Sequence, residues 1–374
     1  MPAPGSSNEL LELIRKSGVA DASKLNTSAQ LPCDGGTLPD DPAQVADRLV
    51  CEGVLSYFQA EQLLHGKWKR FTLGKFVVHE KLGESVTGQI FLCEHMRMHR
   101  VVAIKVLPSL LAADERSVQR FHHQARVMAS VDHPNCVRAY DIDQEDNLHF
   151  IVMEYVDGTG LMDIVTRHGP LDPVRAADYI AQAASGLQQF HDANYVHRNV
   201  KPGKLLLERS GVVKLSDMGF AICRDDGFDQ LTRRTEDGLW GTPHYMSPEH
   251  ALDSTAVDQR ADIYSLGCTM YHLLTGQPPF PEGTVAQQLL WHQNREPSPI
   301  WSLRPEVPRR LARVAERMMA KDPENRFQTA AEVSHALVRF RAKNPPPPPN
   351  HEMPQHCPRV QVAINRERQE RQTR

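Results

Sequence analysis

The stretch HRNVKPGK, residues 197–204, decides how the fold of this chain is interpreted. Two kinds of pattern surround it. From about residue 75, short apolar runs rich in β-branched residues alternate with turn signals, which indicates strands. From about residue 171 to residue 341, apolar residues follow helical spacing. The sequence therefore predicts an α+β fold in which a β-rich part precedes a helical part, and the stretch lies inside the helical part.

The composition is that of an ordinary globular chain. It has 374 residues, of which 24% are charged and 40% hydrophobic, and a formal net charge of -3. Such a charge gives no bulk electrostatic reason to bind nucleic acid or a membrane surface. The seven cysteines lack a C-x-x-C pair, which favours a reducing compartment. No apolar run reaches the ~18 residues of a membrane span, and residues 1–10 do not resemble a signal peptide, so we expect a cytoplasmic protein.

Residues 1–70 predict a small helical extension before the β-rich part. Three helix starts are recognisable from their capping residues, namely Ser6-x-x-Glu9, Asp41-Pro42 and Ser56-x-x-Gln59. Apolar residues follow each start at helical spacing. Two interpretations remain open, since such an extension either stabilises the domain beside it or serves as an interaction module.

Residues 342–374 predict a linker and a tail. Five consecutive prolines, Pro345–Pro349, exclude a helix or a central strand and predict a polyproline II spacer. Residues 350–374 are polar and carry five Arg against three Glu. We expect this tail to be disordered, or to form a short helix that orders on a partner.

A series of short motifs extends outward from the stretch at residues 197–204. They are GESVTGQI (83–90), VAIK (102–105), RFHHQAR (120–126), FIVMEYV (150–156), SDMG (216–219), GTPHYMSPE (241–249), DIYSLG (262–267) and KDPENRF (321–327). This ordered set resembles the bacterial Hanks-type serine/threonine protein kinases. The resemblance covers about residues 76–341 and implies a bilobal kinase-like fold, with an N-lobe at about 76–155 and a C-lobe at about 156–341. The run FQAEQLL (58–64) is similar to an extension that some of these kinases carry.

The resemblance also implies a site for ATP and Mg²⁺. Lys105 falls where the family holds the α- and β-phosphates, and Asp217 where it binds Mg²⁺, here one ion at most. The position of Lys201 is the one that steadies the transferred phosphate. The nucleotide-binding residues implied by the motifs are those of the glycine-rich loop (Gly83, Ser85, Gly88), those that enclose the adenine (Ile90, Ala103, Leu206) and those of the hinge (Glu154, Val156).

Four residues depart from the family pattern: Ser85, Gln124, Asn199 and Lys204. They replace the second loop glycine, the helix Glu that pairs with Lys105, the catalytic Asp and a metal-binding Asn. Asn199 orients a hydroxyl but cannot take its proton, and losing a general base slows such reactions by roughly 10²–10⁴-fold. The ammonium of Lys204 has no acceptor atom, so it either repels a second Mg²⁺ or replaces part of its charge.

Two interactions outside the chemistry are implied by the same resemblance. Glu249 is expected to form a buried ion pair with Arg326, and Asp262 is expected to cap the backbone of the 197–204 stretch. Thr232 and Thr235 lie in the activation loop, where they are either phosphorylation sites or parts of an exposed polar loop.

Three functions remain open on the sequence alone. The first is a pseudokinase, a kinase fold in signalling that binds ATP but transfers phosphate weakly or not at all and acts through a protein partner. The second is an atypical serine/threonine kinase that works with Lys105, Lys201 and Asp217 on a protein substrate. The third is an interaction scaffold that binds no nucleotide. None of the three involves nucleic acid or a membrane span.

Overall fold

A computed structural model describes residues 2–20, 25, 39–85, 88–219, 221–223, 242–253 and 257–372. The chain divides into two compact units. The first unit contains residues 1–114, 140–155 and 355–374, and the second contains residues 115–139 and 156–354. The first unit holds a large β-sheet and the second is mainly helical, which confirms the predicted α+β, kinase-like fold class.

The regular elements are numbered in chain order. The strands are β1 Thr72–Leu73, β2 Phe76–Ser85, β3 Gly88–His95, β4 Val101–Val106, β5 Ala139–Glu145, β6 Leu148–Glu154, β7 Gly158–Gly160, β8 Tyr195–Val196, β9 Leu205–Glu208, β10 Val213–Leu215 and β11 Ile222–Cys223. The α-helices are α1 Ser7–Ser17, α2 Pro42–Cys51, α3 Tyr57–Leu64, α4 Ser109–Ala112, α5 Glu115–Ala129, α6 Leu161–His168, α7 Pro173–Asp192, α8 Pro248–Leu252, α9 Gln259–Thr275, α10 Val285–Asn294, α11 Ile300–Leu303, α12 Arg309–Met318, α13 Ala330–Leu337 and α14 Pro358–Gln372. Short 3₁₀ turns occupy Pro202–Lys204, Pro243–Tyr245, Pro323–Asn325, Val338–Phe340 and Asn350–Glu352.

The sheet of the first unit has the strand order β1-β2-β3-β4-β6-β5. The pairs β2–β3, β3–β4 and β4–β6 are antiparallel. The central strand β4 reads VVAIKV and is buried over its first five residues. Its β-branched residues favour a pleated strand, and burial on both faces explains their unbroken apolar run. The strand therefore carries Lys105 into the interior, where only 1% of this residue is exposed.

The helical extension is confirmed and is bonded to the sheet of its own unit. Ser56 and Gln59 form a full capping box at the start of α3. Both residues are completely buried, so their remaining polar atoms need partners. The Gln59 side-chain amide donates to the carbonyl of Val78 at 2.6 Å, and the Ser56 hydroxyl donates to the carbonyl of His79. These bonds hold α3 on strand β2.

The tail differs from the disordered segment that the polar composition suggested, because residues 358–372 form helix α14. Its apolar residues share one buried core with α1, α2 and α3 and with Leu92 and Val101 of the sheet. The carbonyls of Val19 and Val54 both accept hydrogen bonds from Arg359. The tail thus forms a helix, and this helix packs on the chain's own extension rather than on a partner. The tail residues in this core are Cys357, Val360, Ala363 and Ile364.

The second unit is built around α7 and α9, which pack against each other. Asp172 caps the start of α7 and Pro173 occupies its first turn. Helix α9 ends at Gly276 in the left-handed conformation, and its residues from Ala261 to Leu274 are all buried. Two small sheets, β10-β9-β7 and β11-β8, complete the unit. The stretch at residues 197–204 connects β8 to β9 and therefore lies in this unit.

The five prolines of the predicted spacer form neither helix nor strand. After them, Glu352 forms a two-pronged ion pair with Arg175 of α7, with N–O distances of 2.9 and 2.5 Å. The spacer is therefore fastened to the second unit at its far end. Within the described residues, no helix has the length and apolar character that crossing a membrane requires. The cytoplasmic location stays a prediction.

Candidate functional site

The 197–204 stretch is held in place by the carboxylate of Asp262 on α9. This carboxylate accepts hydrogen bonds from the backbone N–H groups of His197 and Arg198, each at 2.8 Å, and from the His191 ring at 2.9 Å. Burial alone would raise the pKa of Asp262, but the hydrogen bonds from the His191 ring and the His197 backbone outweigh it and lower the pKa. The predicted capping role of Asp262 is confirmed.

Two non-glycine residues of the site adopt the left-handed backbone conformation. They are Arg198, with φ of 62°, and Asp217, with φ of 65°. This conformation costs about 1–2 kcal/mol for an ordinary residue, so it persists where surrounding bonds fix it. The bond from Arg198 to Asp262 is one of these, and the side-chain bonds of Asp217 are others. Both residues are thus placed by the fold rather than by local preference.

Asn199, at the position of the catalytic base, is buried with 7% exposure. Its backbone N–H donates to Nδ1 of His197 at 3.2 Å. Burial lowers the pKa of His197, so the ring is neutral at pH 7 and its Nδ1 is free of a proton, as this bond requires. The backbone of a catalytic loop is therefore present, but the side chain at its reacting position is an amide without a titratable group.

Lys201 lies against the end of the activation segment. Its ammonium donates to the hydroxyl of Thr242 at 2.5 Å. The pKa of Lys201 is lowered, first because burial removes water from the ammonium and then because the positive charge of Lys204 is close. The ammonium groups of Lys201 and Lys204 therefore lie close to each other.

Asp217 is bonded by two nitrogen donors on its two oxygens. Nζ of Lys204 forms an ion pair with Oδ2, and Nε2 of Gln124 on α5 donates to Oδ1 at 3.0 Å. The Lys204 and Asp217 side chains are only 16% and 10% exposed. The backbone of Lys204 is fixed as well, since its carbonyl accepts from the Ser216 N–H at 2.9 Å and from the Ser216 hydroxyl at 3.1 Å.

This set of donors does not suit the Mg²⁺ that the resemblance implies. Mg²⁺ requires an octahedral shell of oxygen ligands. At Asp217 the side chains of Gln124 and Lys204 present nitrogen donors to the carboxylate instead, and that of Lys204 is a cation. Among the residues that the structure describes, no group of three or more His, Cys, Asp or Glu side chains is placed to hold a metal ion. Asp217 as a metal ligand stays a prediction, and it requires Lys204 to move away.

In the first unit, Gly83 and Ser85 lie at the end of β2, and Gly88 begins β3. The Ser85 hydroxyl donates to the carbonyl of Gly88 at 3.2 Å and closes the hairpin. Gly88 has φ of 147°, and a Cβ there would lie 2.4 Å from the carbonyl oxygen of Val106, so the strand pairing requires glycine. A Cβ at Gly83 would meet no protein atom within 4 Å. Packing among the described residues therefore does not require glycine at position 83.

In the same unit, three of the predicted nucleotide residues lie on one face of the sheet. Ile90 lies directly opposite Lys105, and Leu92 opposite Ala103. Because alternate residues of a strand share a face, Ile90, Ala103 and Lys105 point to the same side. Met153 of β6 pairs with Ala103 of β4. Glu154 follows Met153 at the end of β6.

Two predicted nucleotide residues, Val156 and Leu206, belong to the second unit. Val156 is buried and lies two residues before the β7 strand. Leu206 on β9 is half-buried and pairs with Gly160 of β7. Their roles as adenine contacts stay predictions.

The predicted ion pair between Glu249 and Arg326 is confirmed. Its two N–O distances are 2.7 and 2.8 Å. The guanidinium also donates to the carbonyls of Ala320, Arg260 and Lys321, and Arg326 is only 1% exposed. The positive charge of the buried guanidinium is therefore balanced by the Glu249 carboxylate and by three carbonyl oxygens. The predicted phosphorylation sites Thr232 and Thr235 lie outside the described residues.

Besides the ion pair between Lys204 and Asp217, sequence reasoning missed three contacts at or near the site. These are the bond from Gln124 to Asp217, the bond from Lys201 to Thr242, and a 3.2 Å contact between the Tyr155 hydroxyl, beside the hinge, and the His356 ring. The first two connect residues that the motifs had already identified. The third involves the tail, and its only sequence signal is the helical spacing of apolar residues in 357–364.

Comparison with known proteins agrees with these motifs. The protein kinase domain family matches residues 76–338. The serine/threonine-protein kinase PknB of Mycobacterium tuberculosis is 37% identical over 279 residues, which are 74% of this chain and 44% of that protein. The serine/threonine-protein kinase PrkC of Bacillus subtilis is 33% identical over 260 residues, 70% of this chain and 39% of that protein. The chain thus matches less than half the length of these relatives.

Proposed function

Because this chain belongs to the protein kinase family, we propose that it is a serine/threonine pseudokinase, which binds ATP, transfers phosphate weakly or not at all, and acts in signalling through a protein partner. Members of this family use ATP and Mg²⁺. The observation that carries the proposal is the ion pair between Lys204 and Asp217. In this pair, the Lys204 ammonium binds the carboxylate that family members use to hold the metal ion.

The charges of the site support this proposal. Gln124, Asn199 and Lys204 replace a Glu, an Asp and an Asn of the family pattern. Each replacement makes the site one charge more positive. A site altered in this direction attracts the phosphates of a nucleotide without help from metal ions. In this function the Lys204 ammonium donates to a phosphate oxygen of the nucleotide, either instead of Asp217 or together with it. Lys204 then binds the nucleotide in place of a metal ion.

The base position supports weak transfer. An amide at Asn199 accepts a hydrogen bond from a substrate hydroxyl but cannot remove its proton. Loss of the general base lowers the rate by roughly 10²–10⁴-fold. The altered metal and helix positions lie in the same catalytic unit, so their effects do not simply multiply.

The nucleotide-facing residues support ATP binding. Lys105, Ala103 and Ile90 share one face of the sheet, where the family binds the nucleotide. Gly83 has no packing reason to be glycine within the described residues. A backbone without a Cβ at that position leaves room for close approach of phosphates.

Nucleotide binding is tested by thermal unfolding of the full chain with ATP, in EDTA and in Mg²⁺. We expect ATP to raise the unfolding temperature in EDTA, and Lys105→Ala to reduce the shift. Lys204→Asn is the decisive variant, since it restores the family ligand and makes the shift depend on Mg²⁺. If ATP has no effect in either condition, nucleotide binding is excluded and the interaction scaffold takes its place.

Phosphate transfer is tested with labelled ATP, using the protein itself and a generic basic protein as acceptors, in Mg²⁺ and in Mn²⁺. We expect no incorporation above that of Lys105→Ala. Incorporation at an ordinary kinase rate that Lys105→Ala abolishes overturns the pseudokinase proposal.

One observation favours the second candidate, an atypical serine/threonine kinase. Lys201 is retained and bonded to Thr242 at 2.5 Å, so the cation that steadies the transferred phosphate in the family is fixed in place. Slow incorporation that requires both Lys105 and Lys201 identifies this case, and the substrate is then a protein hydroxyl.

A further inference from the structure

The first unit contains a groove on the opposite side of its sheet from Ile90 and Lys105. The groove lies between the end of the helical extension, residues 58–71, and strands β2, β3, β4 and β6. Its volume is about 880 Å³, which is within the range of sites that hold a ligand or several peptide side chains. All of its lining residues are in the first unit and within the described part of the chain.

The floor of the groove is apolar and only partly covered. Phe58 of α3 and Phe91 of β3 lie with ring centroids 5.9 Å apart. Both rings, together with Val106 and Leu148, are half-buried at the edge of the core beneath the sheet. Half-buried aromatic rings in a concave surface are the usual anchoring points of protein–protein contacts.

The rim of the groove is basic. Lys67, Lys69, Arg70 and Lys81 line it and are exposed. Lys81 pairs with Glu84 at 2.5 Å, and Lys69 lies over the Trp68 ring at 5.1 Å. Among the described residues that line the groove, none is Asp or Glu. The rim therefore presents positive charge around an apolar floor, although the whole chain has a net charge of -3.

We propose that this groove binds a peptide segment of a partner protein, in which acidic residues flank one or two large apolar side chains. The apolar side chains bind on Phe58 and Phe91, and the acidic residues meet the lysines and the arginine of the rim. A peptide fits better than a nucleic acid, because the floor is formed by partly buried aliphatic and Phe side chains rather than by exposed rings available for base stacking.

The inference does not depend on the proposed lack of phosphate transfer. Gln89 and Phe91 line the groove, whereas Ile90, between them, lies opposite Lys105. Because successive side chains of a strand point to opposite faces, a peptide in the groove and a nucleotide at Lys105 occupy different faces of the sheet. The groove serves a pseudokinase as its partner site and an active kinase as a substrate-docking site.

The test uses a fluorescein-labelled acidic peptide with Phe and Leu anchors, EEDFEELDE, and the full chain, followed by fluorescence anisotropy. We expect saturable binding that weakens at higher salt, because charge pairs at an exposed rim are screened. The triple variant Lys67→Glu/Lys69→Glu/Arg70→Glu is expected to bind at least tenfold more weakly. The matched control Arg97→Glu reverses an exposed charge outside the groove and is expected to bind as the natural chain does.

Two further peptides separate the groove from a merely basic surface. A peptide with Ser in place of Phe and Leu is expected to bind at least tenfold more weakly, and a Lys-rich peptide with the same anchors is expected not to bind. Equal binding of the Ser peptide, or no binding of the acidic peptide at low salt, overturns the proposal.

Two other occupants are outcomes of the same experiment. If a single-stranded oligonucleotide displaces the peptide at lower concentration than unlabelled peptide does, the groove is a nucleic-acid site and the proposal is wrong. If the natural chain forms dimers in solution that the triple variant abolishes, the occupant is a second copy and the peptide proposal is again overturned.

Discussion

The second unit contains two sets of motif residues that differ in what they retain. Asp262 and the pair Glu249–Arg326 make the bonds expected of the family, with distances between 2.7 and 2.8 Å. Asn199 and Lys204, which lie in the loop that Asp262 holds, have lost the groups that perform the chemistry. The supports, namely Asp262 and the Glu249–Arg326 pair, thus keep their bonds, while the reacting positions, Asn199 and Lys204, are altered.

This difference indicates that the residues that hold the loop can keep the bonds of the family while residues at its reacting positions change. The supports are buried charges whose removal leaves unpaired groups in the interior. The reacting residues lie at a site that must open to substrate, where a change of charge is tolerated by the fold. The bonds that hold the loop are therefore compatible with changed residues at its reacting positions.

The largest expected effect is on the rate. We expect Asn199→Asp/Lys204→Asn to raise phosphate incorporation by at least about 10²-fold, because it restores the base and removes the ammonium from Asp217. The measurement is the initial rate with labelled ATP and a basic protein acceptor. Asn199→Asp alone is the control, since Lys204 still bonds Asp217 there. A double variant as slow as the natural chain would place the defect outside the loop. It would contradict the difference drawn between the residues that hold the loop and those at its reacting positions.

Next is the stability of the supports. Arg326→Ala is expected to lower the free energy of unfolding by about 3–5 kcal/mol, since it leaves the Glu249 carboxylate and several carbonyls without their donor. Urea unfolding measures this loss. Arg310→Ala removes an exposed Arg from the same unit and is expected to change the free energy by less than about 0.5 kcal/mol. Similar values for both variants would contradict the supporting role.

The second unit also contains buried histidines, which make the stability of the protein depend on pH. Burial lowers the pKa of His250 and His272 to about 4 and that of His292 to about 3. The unfolded chain takes up these protons near pH 6.5, so stability is full above that pH and falls as the pH decreases towards 4. The loss at pH 5 is about 2 kcal/mol for each histidine.

Urea unfolding at pH 7.5, 6 and 5 checks this loss. His250→Gln should lessen the pH dependence, whereas His335→Gln, at an exposed position, should leave it unchanged. A flat profile between pH 7.5 and 5 would show that these rings are not held neutral.

The smallest effect concerns the altered position itself. Lys204→Met is expected to lower the free energy of unfolding by only about 1 kcal/mol, the net contribution of one hydrogen bond, because the Asp217 carboxylate keeps the Gln124 donor. The same urea experiment measures it, with Arg326→Ala as the reference. A loss as large as that of Arg326→Ala would make the Lys204–Asp217 pair a structural support and remove the distinction between the two sets.

The supports were predictable from the sequence because motif spacing fixes both partners of each bond. Asp262 and Arg326 each belong to a motif whose position in the fold also fixes its neighbour. The partners of Asp217 were not predictable in this way. An amide at Gln124 has both donor and acceptor atoms, and a motif position does not reveal which atom is used or towards which neighbour.

The tail helix was the main part of the fold that the sequence did not reveal. Cys357, Val360 and Ile364 follow helical spacing, but they are few among polar and charged residues, so composition favoured disorder. The apolar surface that they cover is formed by residues more than 300 positions earlier in the chain, such as Leu10 and Ile14. Local patterns do not report contacts at such separation.

That shared core has a consequence for how the protein is made. Ile14 and Ile364 belong to the same core and are 350 residues apart. At synthesis rates of about 5–20 residues per second, roughly 20–70 s pass between the emergence of one and of the other. During that interval the first helices have apolar faces without their final cover. The core of the first unit is therefore completed only after residues 115–354, which include the whole second unit, have been synthesised.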